Sequence, residues 1–502
     1  THWLDSRHAV AVAATDAWIE RRGWCAANAL GATIARSTVT SNGRVYEIVR
    51  VRPPGGVPAE VWFDAITGLP ERSVVRLNED TRATYYADWR EAAGTVWPFE
   101  RKIVYVEDDD VTTLRASTIE PTTPPATAFD PPATKQTVTM LRGAASTTVP
   151  MHIEGRKMLV DVMLNGEGPF PMVFDTGGHF ILSSATAKKL KLGVAGRGKD
   201  PENDDGFARV NELRIGDAVI RNDVAHVVPY SYARLERGPK PPKAGWLGLE
   251  LLERFSVVID PAKGTFTLTP RRAPAASYPG VRIPLVLDED APLAPCRIDG
   301  APGECMIDTG NASPTIVEGH WSRAAGLNAR FANGLDAGDG VRIARADLEL
   351  GGIALPREIV AAFPPQHSGS ESTTVEAAIV SETVHERYVT SIDYAQHAMW
   401  LAPIPGVTPP PYNRSGLQLA KKADGSFTVA FVLANSPAAA AGLKAGDRIV
   451  AIDGKPAREW TGADATAANL APAGTQRTYT IRVPNSNQTR VVTLRLRDLL
   501  SP

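Results

Sequence analysis

The chain spells Asp-Thr-Gly twice, and each copy follows two apolar residues: Val173-Phe174 before Asp175, and Met306-Ile307 before Asp308. The copies lie 308 − 175 = 133 residues apart. Other landmarks keep that spacing. "LLERFSVVID" aligns with "VHERYVTSID", so Arg254 and Arg387 differ by 387 − 254 = 133, and Asp260 and Asp393 by 393 − 260 = 133. "LVDVMLNGEGPFPMVFDTGG" matches "PLAPCRIDGAPGECMIDTGN", each reading as strand, turn, strand and triplet. "VNELRIGDAVI" likewise matches "RADLELGGIAL". A constant offset over separate landmarks predicts a duplicated, domain-sized unit. The period far exceeds that of solenoid repeats. Two such copies predict a pseudo-two-fold arrangement, the single-chain counterpart of a symmetric dimer.

Proline marks where this unit begins and ends. "STIEPTTPPATAFDPPATKQT" (117–137) and the proline-rich stretch within "PIPGVTPPPYN" (405–412) read as linkers. They divide the 502 residues into an N-terminal region (1–116), two halves of a central block (138–271 and 272–404) and a C-terminal domain (413–502). The N-terminal region opens on an amphipathic helical pattern. It continues with short alternating segments, "RVYEIVRV", "AEVWFDAITG", "RSVVRLN", "ATYYADWR" and "VWPFERKIVYV". These predict an antiparallel, half-barrel-like sheet. In the C-terminal domain, Ser436 and Pro437 suit the N-cap and first position of a short helix, and Gly442 suits its end. "DATAANLAP" predicts a second helix, and "RTYTIRVPNSNQTRVVTLRL" a strand pair. The fold class is therefore mainly β.

The chemistry follows from what two Asp-Thr-Gly copies do at a two-fold axis. Two carboxylates brought together in a partly desolvated cleft share one proton, and their titrations couple. The ionised member can take a proton from a water held between them, while the protonated member donates to a substrate carbonyl. Asp175 and Asp308 are the candidate catalytic residues. Thr176 and Thr309 would bond across the axis, and Gly177 and Gly310 would permit close backbone approach.

At this point the central block, about 145–404, resembles the retropepsin-like aspartic proteases, and in particular bacterial single-chain relatives with a C-terminal PDZ domain. The resemblance implies an aspartic-type endopeptidase with one catalytic aspartate from each half and no cofactor. It also implies an apolar-apolar-Gly brace behind each active loop. Trp246-Leu247-Gly248 supplies it in the first half; at the 133-residue offset the second half has Ser381 instead of glycine. A backbone there with positive φ, or pressed against the active loop, would be strained by serine. A peptide-binding protein on a protease scaffold is the competing expectation. Flap hairpins over the cleft are expected within 193–210 and 327–344.

"SPAAAAGLKAGDRIVAIDGKP" resembles PDZ domains of the bacterial protease-associated type. These bind extended peptide tails by strand addition. Ser415, Gly416, Leu417 and Gln418 match the loop that receives a terminal carboxylate, so the implied partners are peptide or protein substrates and protein C-termini. A PDZ domain that only packs against the protease stays open as an alternative. "PAEVWFDAITGLPERSVVR" resembles the half-barrel of bacterial lipoprotein-carrier proteins, which implies either an apolar-ligand site or a scaffold.

Charge excludes other classes. The 56 acidic and 54 basic residues nearly cancel and leave no electrostatic footprint for nucleic acid. No apolar run is long enough for a transmembrane helix. No Cys/His spacing suggests a metal site. His179 and His320 have no nucleophile motif beside them, so a Ser/His/Asp arrangement is not indicated. The start at Thr1 suggests a trimmed chain, and family members of this layout are exported, so a periplasmic or secreted location is expected. Cys296 and Cys305 flank a hairpin turn at Asp299-Gly300, and either a disulfide or two reduced thiols fits that placement.

Overall fold

The computed structural model describes residues 6–500 apart from 79, 107–109, 130–136, 197–205, 230–242, 272–276, 289, 366–372 and 484–487. The N-terminal helix runs Arg7–Glu20, and its N-cap Ser6 accepts the Ala9 N–H at 2.8 Å. It packs Trp18 and Ile19 onto an antiparallel sheet through Val51, Val61 and Val75. That sheet is a seven-stranded meander from Thr33–Ser41 to Asp110–Arg115. Its first turn is Asn42-Gly43, with φ 49° and 76°, the backbone that a two-residue hairpin favours. The five alternating segments all become strands. The first and last strands carry no comparable apolar alternation, and they form the two edges.

The central block builds the same motif twice. In the first half, Glu167–Phe174 leads into Asp175 and pairs in parallel with Gly245–Leu247. Ile181–Ser183 lies antiparallel on the other side of that short strand. In the second half, Ala301–Ile307 leads into Asp308 and pairs in parallel with Glu376–Val380, which Thr315–Val317 flanks antiparallel. The parallel pairs Val173↔Trp246 and Met306↔Ile379 are counterparts at the 133-residue offset. The second copy takes 316 − 308 = 8 residues from its aspartate to the flanking-strand partner, against 181 − 175 = 6 in the first.

The halves meet in one continuous sheet. Phe255–Asp260 of the first half pairs antiparallel with Tyr388–Asp393 of the second. Val258 sits opposite Ser391, its own counterpart (258 + 133 = 391), so a pseudo-two-fold axis passes between them. A single apolar core runs through both halves, including Phe174, Phe266, Ile307 and Met399. The repeated arginines serve matching buried ion pairs. Arg254 Nη2 lies 3.1 Å from Asp223, and Arg387 Nη2 lies 2.9 Å from Glu358.

The hairpin expected in the second half runs Leu335–Gly338 and Val341–Leu350, turning at Asp339-Gly340 with φ 51° and 79°. In the first half, strands Val194–Ala195 and Gly206–Ile215 pair, while the intervening 197–205 lies outside the described residues. Cys296 and Cys305 are joined in a disulfide. They are not directly opposed across the hairpin. Cys296 faces Gly303 and Cys305 faces Ala294, so the bridge is diagonal.

The N-terminal domain touches the second half. Asn78, in the turn after the strand Pro70–Arg76, donates to both carboxylate oxygens of Glu376 at 2.9 Å and accepts from Thr373 Oγ1 at 2.5 Å. The Ser6 hydroxyl donates to Asp288. Burial pushes the Glu376 carboxyl up to about 7. The C-terminal domain has its own core, with Phe427, Ile449 and Tyr479 fully enclosed. Its Pro437–Ala440 helix carries the expected Ser436 cap, and its second helix, Gly462–Asn469, opens with a capping box between Thr461 and Asp464. No helix among the described residues is long and apolar enough to cross a membrane.

Candidate active site

The two triplets lock onto each other by reciprocal hydrogen bonds. The Thr176 N–H donates to Thr309 Oγ1 at 3.1 Å, and the Thr309 N–H donates to Thr176 Oγ1 at 3.0 Å. Each hydroxyl then donates across the axis to the carbonyl preceding the other aspartate: Thr176 to Ile307 at 2.6 Å, and Thr309 to Phe174 at 3.1 Å. Both threonines are buried, at 1% and 0% exposure, so four cross-axis bonds form away from water. Threonine suits this task because one small side chain both donates and accepts.

This lattice sets the carboxyl groups of Asp175 and Asp308 beside each other, close enough for each to shift the other's titration. Backbone donors orient them. Gly177 N–H reaches Asp175 Oδ1 at 3.0 Å, while Gly310 and Asn311 N–H reach Asp308 Oδ1 at 2.8 and 3.1 Å. The glycines are required by proximity. A Cβ on Gly310 would stand 2.3 Å from the Asp175 carboxyl carbon, and one on Gly177 would stand 3.1 Å from that of Asp308. Burial raises both aspartates above the usual carboxylate range, and the charge of Asp175 pushes Asp308 further. The Asp308 carboxyl and the Gly177 N–H pull Asp175 the other way, and the charges of Lys157 and His179 add to that pull.

The brace behind each loop is present in both halves. Asp175 N–H donates to Leu247 O at 2.9 Å, and Asp308 N–H to Val380 O at 3.0 Å. Leu249 N–H reaches Gly178 O at 2.9 Å, and Glu382 N–H reaches Asn311 O at 3.0 Å. Gly248 is pressed against its loop, since a Cβ there would lie 1.8 Å from Gly178 O. Ser381 has ordinary extended backbone, φ −94° and ψ 174°, and its hydroxyl bonds Thr383 Oγ1 at 2.7 Å. Serine is therefore accommodated without strain, and the backbone hydrogen bonds that hold Asp308 remain intact.

Four further ionisable groups lie around the pair. His179 bonds Glu250 through Nδ1 at 3.0 Å and Asp290, from the other half, through Nε2. Those two carboxylates, Asp290 foremost, push the imidazole up to about 10, so it is a cation at neutral pH. Read only as a would-be partner for a nucleophile, His179 looks idle in the sequence; its partners come from distant elements. Glu382 is fully buried, and neither carboxyl oxygen has a hydrogen-bond partner among the described residues. Burial, then the charge of Glu386, raise it well above the usual range and keep it protonated.

In the C-terminal domain, Ser415, Gly416, Leu417 and Gln418 open the strand Leu417–Lys421, which lies beside the helix Gly462–Asn469 across a groove. Gly416 needs its positive φ of 69°, and a Cβ there would meet Ser436 at 2.2 Å. Residues 408–477 match the sequence model of the PDZ domain family. The chain contains a PDZ domain. A solved structure similar to part of the chain is a retropepsin-like aspartic protease from Rickettsia conorii. It is 19% identical over 28% of this chain and 97% of that one, with a TM-score of 0.19. No curated protein matches the chain by sequence. The PDZ loop also carries its own acceptors. Asn413 Oδ1 accepts the N–H of Ser415 at 3.0 Å and of Gly416 at 3.1 Å, and Ser415 Oγ accepts that of Leu417 at 3.0 Å.

Proposed function

We propose that the protein is an aspartic-type endopeptidase whose PDZ domain helps recruit polypeptide substrates. The observation that carries this reading is the pair of carboxyl groups set beside each other, on loops fixed by four reciprocal threonine bonds. Ionised Asp175 takes a proton from a water held between the carboxyls, and the water oxygen bonds to the peptide carbonyl carbon. Protonated Asp308 gives its proton to the carbonyl oxygen, leaving a neutral gem-diol. Asp175 then passes its proton to the amide nitrogen, the C–N bond breaks, and Asp308 recovers a proton from the diol. No covalent enzyme intermediate is needed.

The non-catalytic reading was motivated by Ser381, and the ordinary backbone there removes that motive. The apolar-carrier reading needs a large apolar cavity in the N-terminal sheet. The aromatic cavity beside Trp24, Phe63 and Trp97 measures about 280 Å³, and an adjoining cleft of about 490 Å³ is edged by Arg44, Asp64 and Glu71. Ligand pockets are mostly apolar, and these charged side chains favour scaffolding as the role proposed for this domain. The disulfide supports a proposed periplasmic or secreted location, since such bonds persist in oxidising compartments. The test is cleavage of a peptide library by wild type and by Asp308→Asn. The expected result is cleavage by the first alone; equal cleavage by both overturns the mechanism.

A further inference from the structure

A cavity of about 500 Å³ lies between the PDZ domain and the second half of the central block. It is lined by Leu417, Gln418 and Leu419 of the strand Leu417–Lys421, by Thr466 and Asn469 of the helix across the PDZ groove, and by Leu335, Asp336 and Ala337 of the hairpin strand Leu335–Gly338. Among the described residues each of these strands is the last in its sheet. Two strand edges therefore border one cavity, and an edge offers a row of unpaired backbone N–H and C=O groups. Ala337 has no partner in its own hairpin ladder, because the register shifts between Asp336 and Gly338. Ile343, Ile359, Phe431 and Leu433 add apolar lining.

The cavity does not stop at the PDZ domain. A second one, about 840 Å³, shares Pro314, Ile359, Tyr412 and Asn413 with it. That cavity reaches Ala312, just past the second triplet, and Thr383, in the brace behind it. A path therefore leads from the PDZ groove to the flank of the second active loop. An extended polypeptide fits such a path, since it alone can pair with strand edges on both sides; a helix or a compact ligand would leave both edges bare. A free C-terminus is not called for. The loop N–H groups of Ser415, Gly416 and Leu417 are already bonded to Asn413 and Ser415. Gln418 stands opposite Phe431 in the strand ladder.

Building on the endopeptidase reading, we propose that an internal, extended segment of the substrate chain docks between the PDZ edge strand and the hairpin strand Leu335–Gly338. The site is composite: the hairpin of the central block's second half adds to the lining formed by the PDZ strand and helix. Substrate class follows from this, as chains with exposed, unfolded stretches rather than chains presenting a particular terminus.

The full chain carrying Asp308→Asn serves as a non-cleaving receptor. The probe is a fluorescein-labelled peptide of about twelve residues with alternating apolar side chains, made with a free C-terminal acid and with a C-terminal amide. The two forms are expected to bind within about threefold of each other, and Ala337→Trp, at an exposed position, to weaken both at least about tenfold. Hydrogen exchange is expected to slow in both 335–338 and 417–421 when the peptide binds. Absence of binding, a preference for the acid of about tenfold or more, or protection confined to 417–421 overturns the composite site. These readouts do not require cleavage. They can fail while Asp308→Asn still abolishes hydrolysis, and hold if it does not.

Discussion

The two Asp-Thr-Gly loops make matching backbone hydrogen bonds and have very different surroundings. The first ends in Gly178-His179 and is braced by Gly248, Leu249 and Glu250; the second ends in Asn311-Ala312 and is braced by Ser381, Glu382 and Thr383. The first side carries a histidine cation held by two carboxylates. The second side has a neutral buried acid where the first has leucine. In a true homodimer both sides would be identical, and only substrate or solvent could decide which aspartate keeps the proton. Here the two sides share the bonds that set geometry and differ in the ionisable side chains around them.

The comparison breaks most severely at the brace. Gly248→Ser would force a side chain into the Gly178 carbonyl, and a loss of about 3 kcal/mol or more is expected in denaturant unfolding. The reciprocal Ser381→Gly should cost only about 1 kcal/mol. Equal costs would mean that the two braces are packed alike after all. Next in size is the threonine lattice. Thr309→Val leaves the Thr176 N–H buried without its acceptor, and about 2 kcal/mol should be lost together with activity. Little effect on either would show that the lattice is dispensable.

Glu382→Leu makes the second side resemble the first. A gain of about 1 kcal/mol is expected at neutral pH, because an unpartnered buried carboxyl is removed. The sign depends on pH. The folded carboxyl titrates above its unfolded value, so its contribution is most favourable in acid and is lost as pH rises. The gain in unfolding free energy should therefore be larger at pH 8 than at pH 4, and a pH-independent gain would contradict the assignment. The smallest effect is expected from His179→Ala. Removing the cation should raise the pKa of Asp175, and the acid limb of the cleavage profile should move to higher pH. A shift toward lower pH would contradict the proposed charge assignment.

Much of the site was legible because its information is local. A triplet, the apolar pair before it and a fixed 133-residue spacing predict two loops, and the reciprocal threonines follow from the triplet. The asymmetry was less legible. Asp290 reaches His179 from 111 residues away and Asn78 reaches Glu376 from 298, and no periodicity marks such contacts. The edge strands Thr33–Ser41 and Asp110–Arg115 escaped notice for a different reason, since both are mostly exposed and lack apolar alternation. The concern about Ser381 came from reading residue type without backbone angles. The Cys296–Cys305 link shows the converse, because proximity along a hairpin was readable while the diagonal register was not.

The central claim is that Asp175 and Asp308 act as one unit that holds a single proton. Its most direct test is the pH dependence of kcat/KM for an internally quenched peptide, measured for wild type, Asp175→Asn and Asp308→Asn. The expected wild-type profile is a bell whose limbs report the two titrations of the pair, with each single variant reduced by at least about 10³-fold across the range. Cleavage by either variant within about tenfold of wild type at any pH would show that the aspartates do not work as a pair.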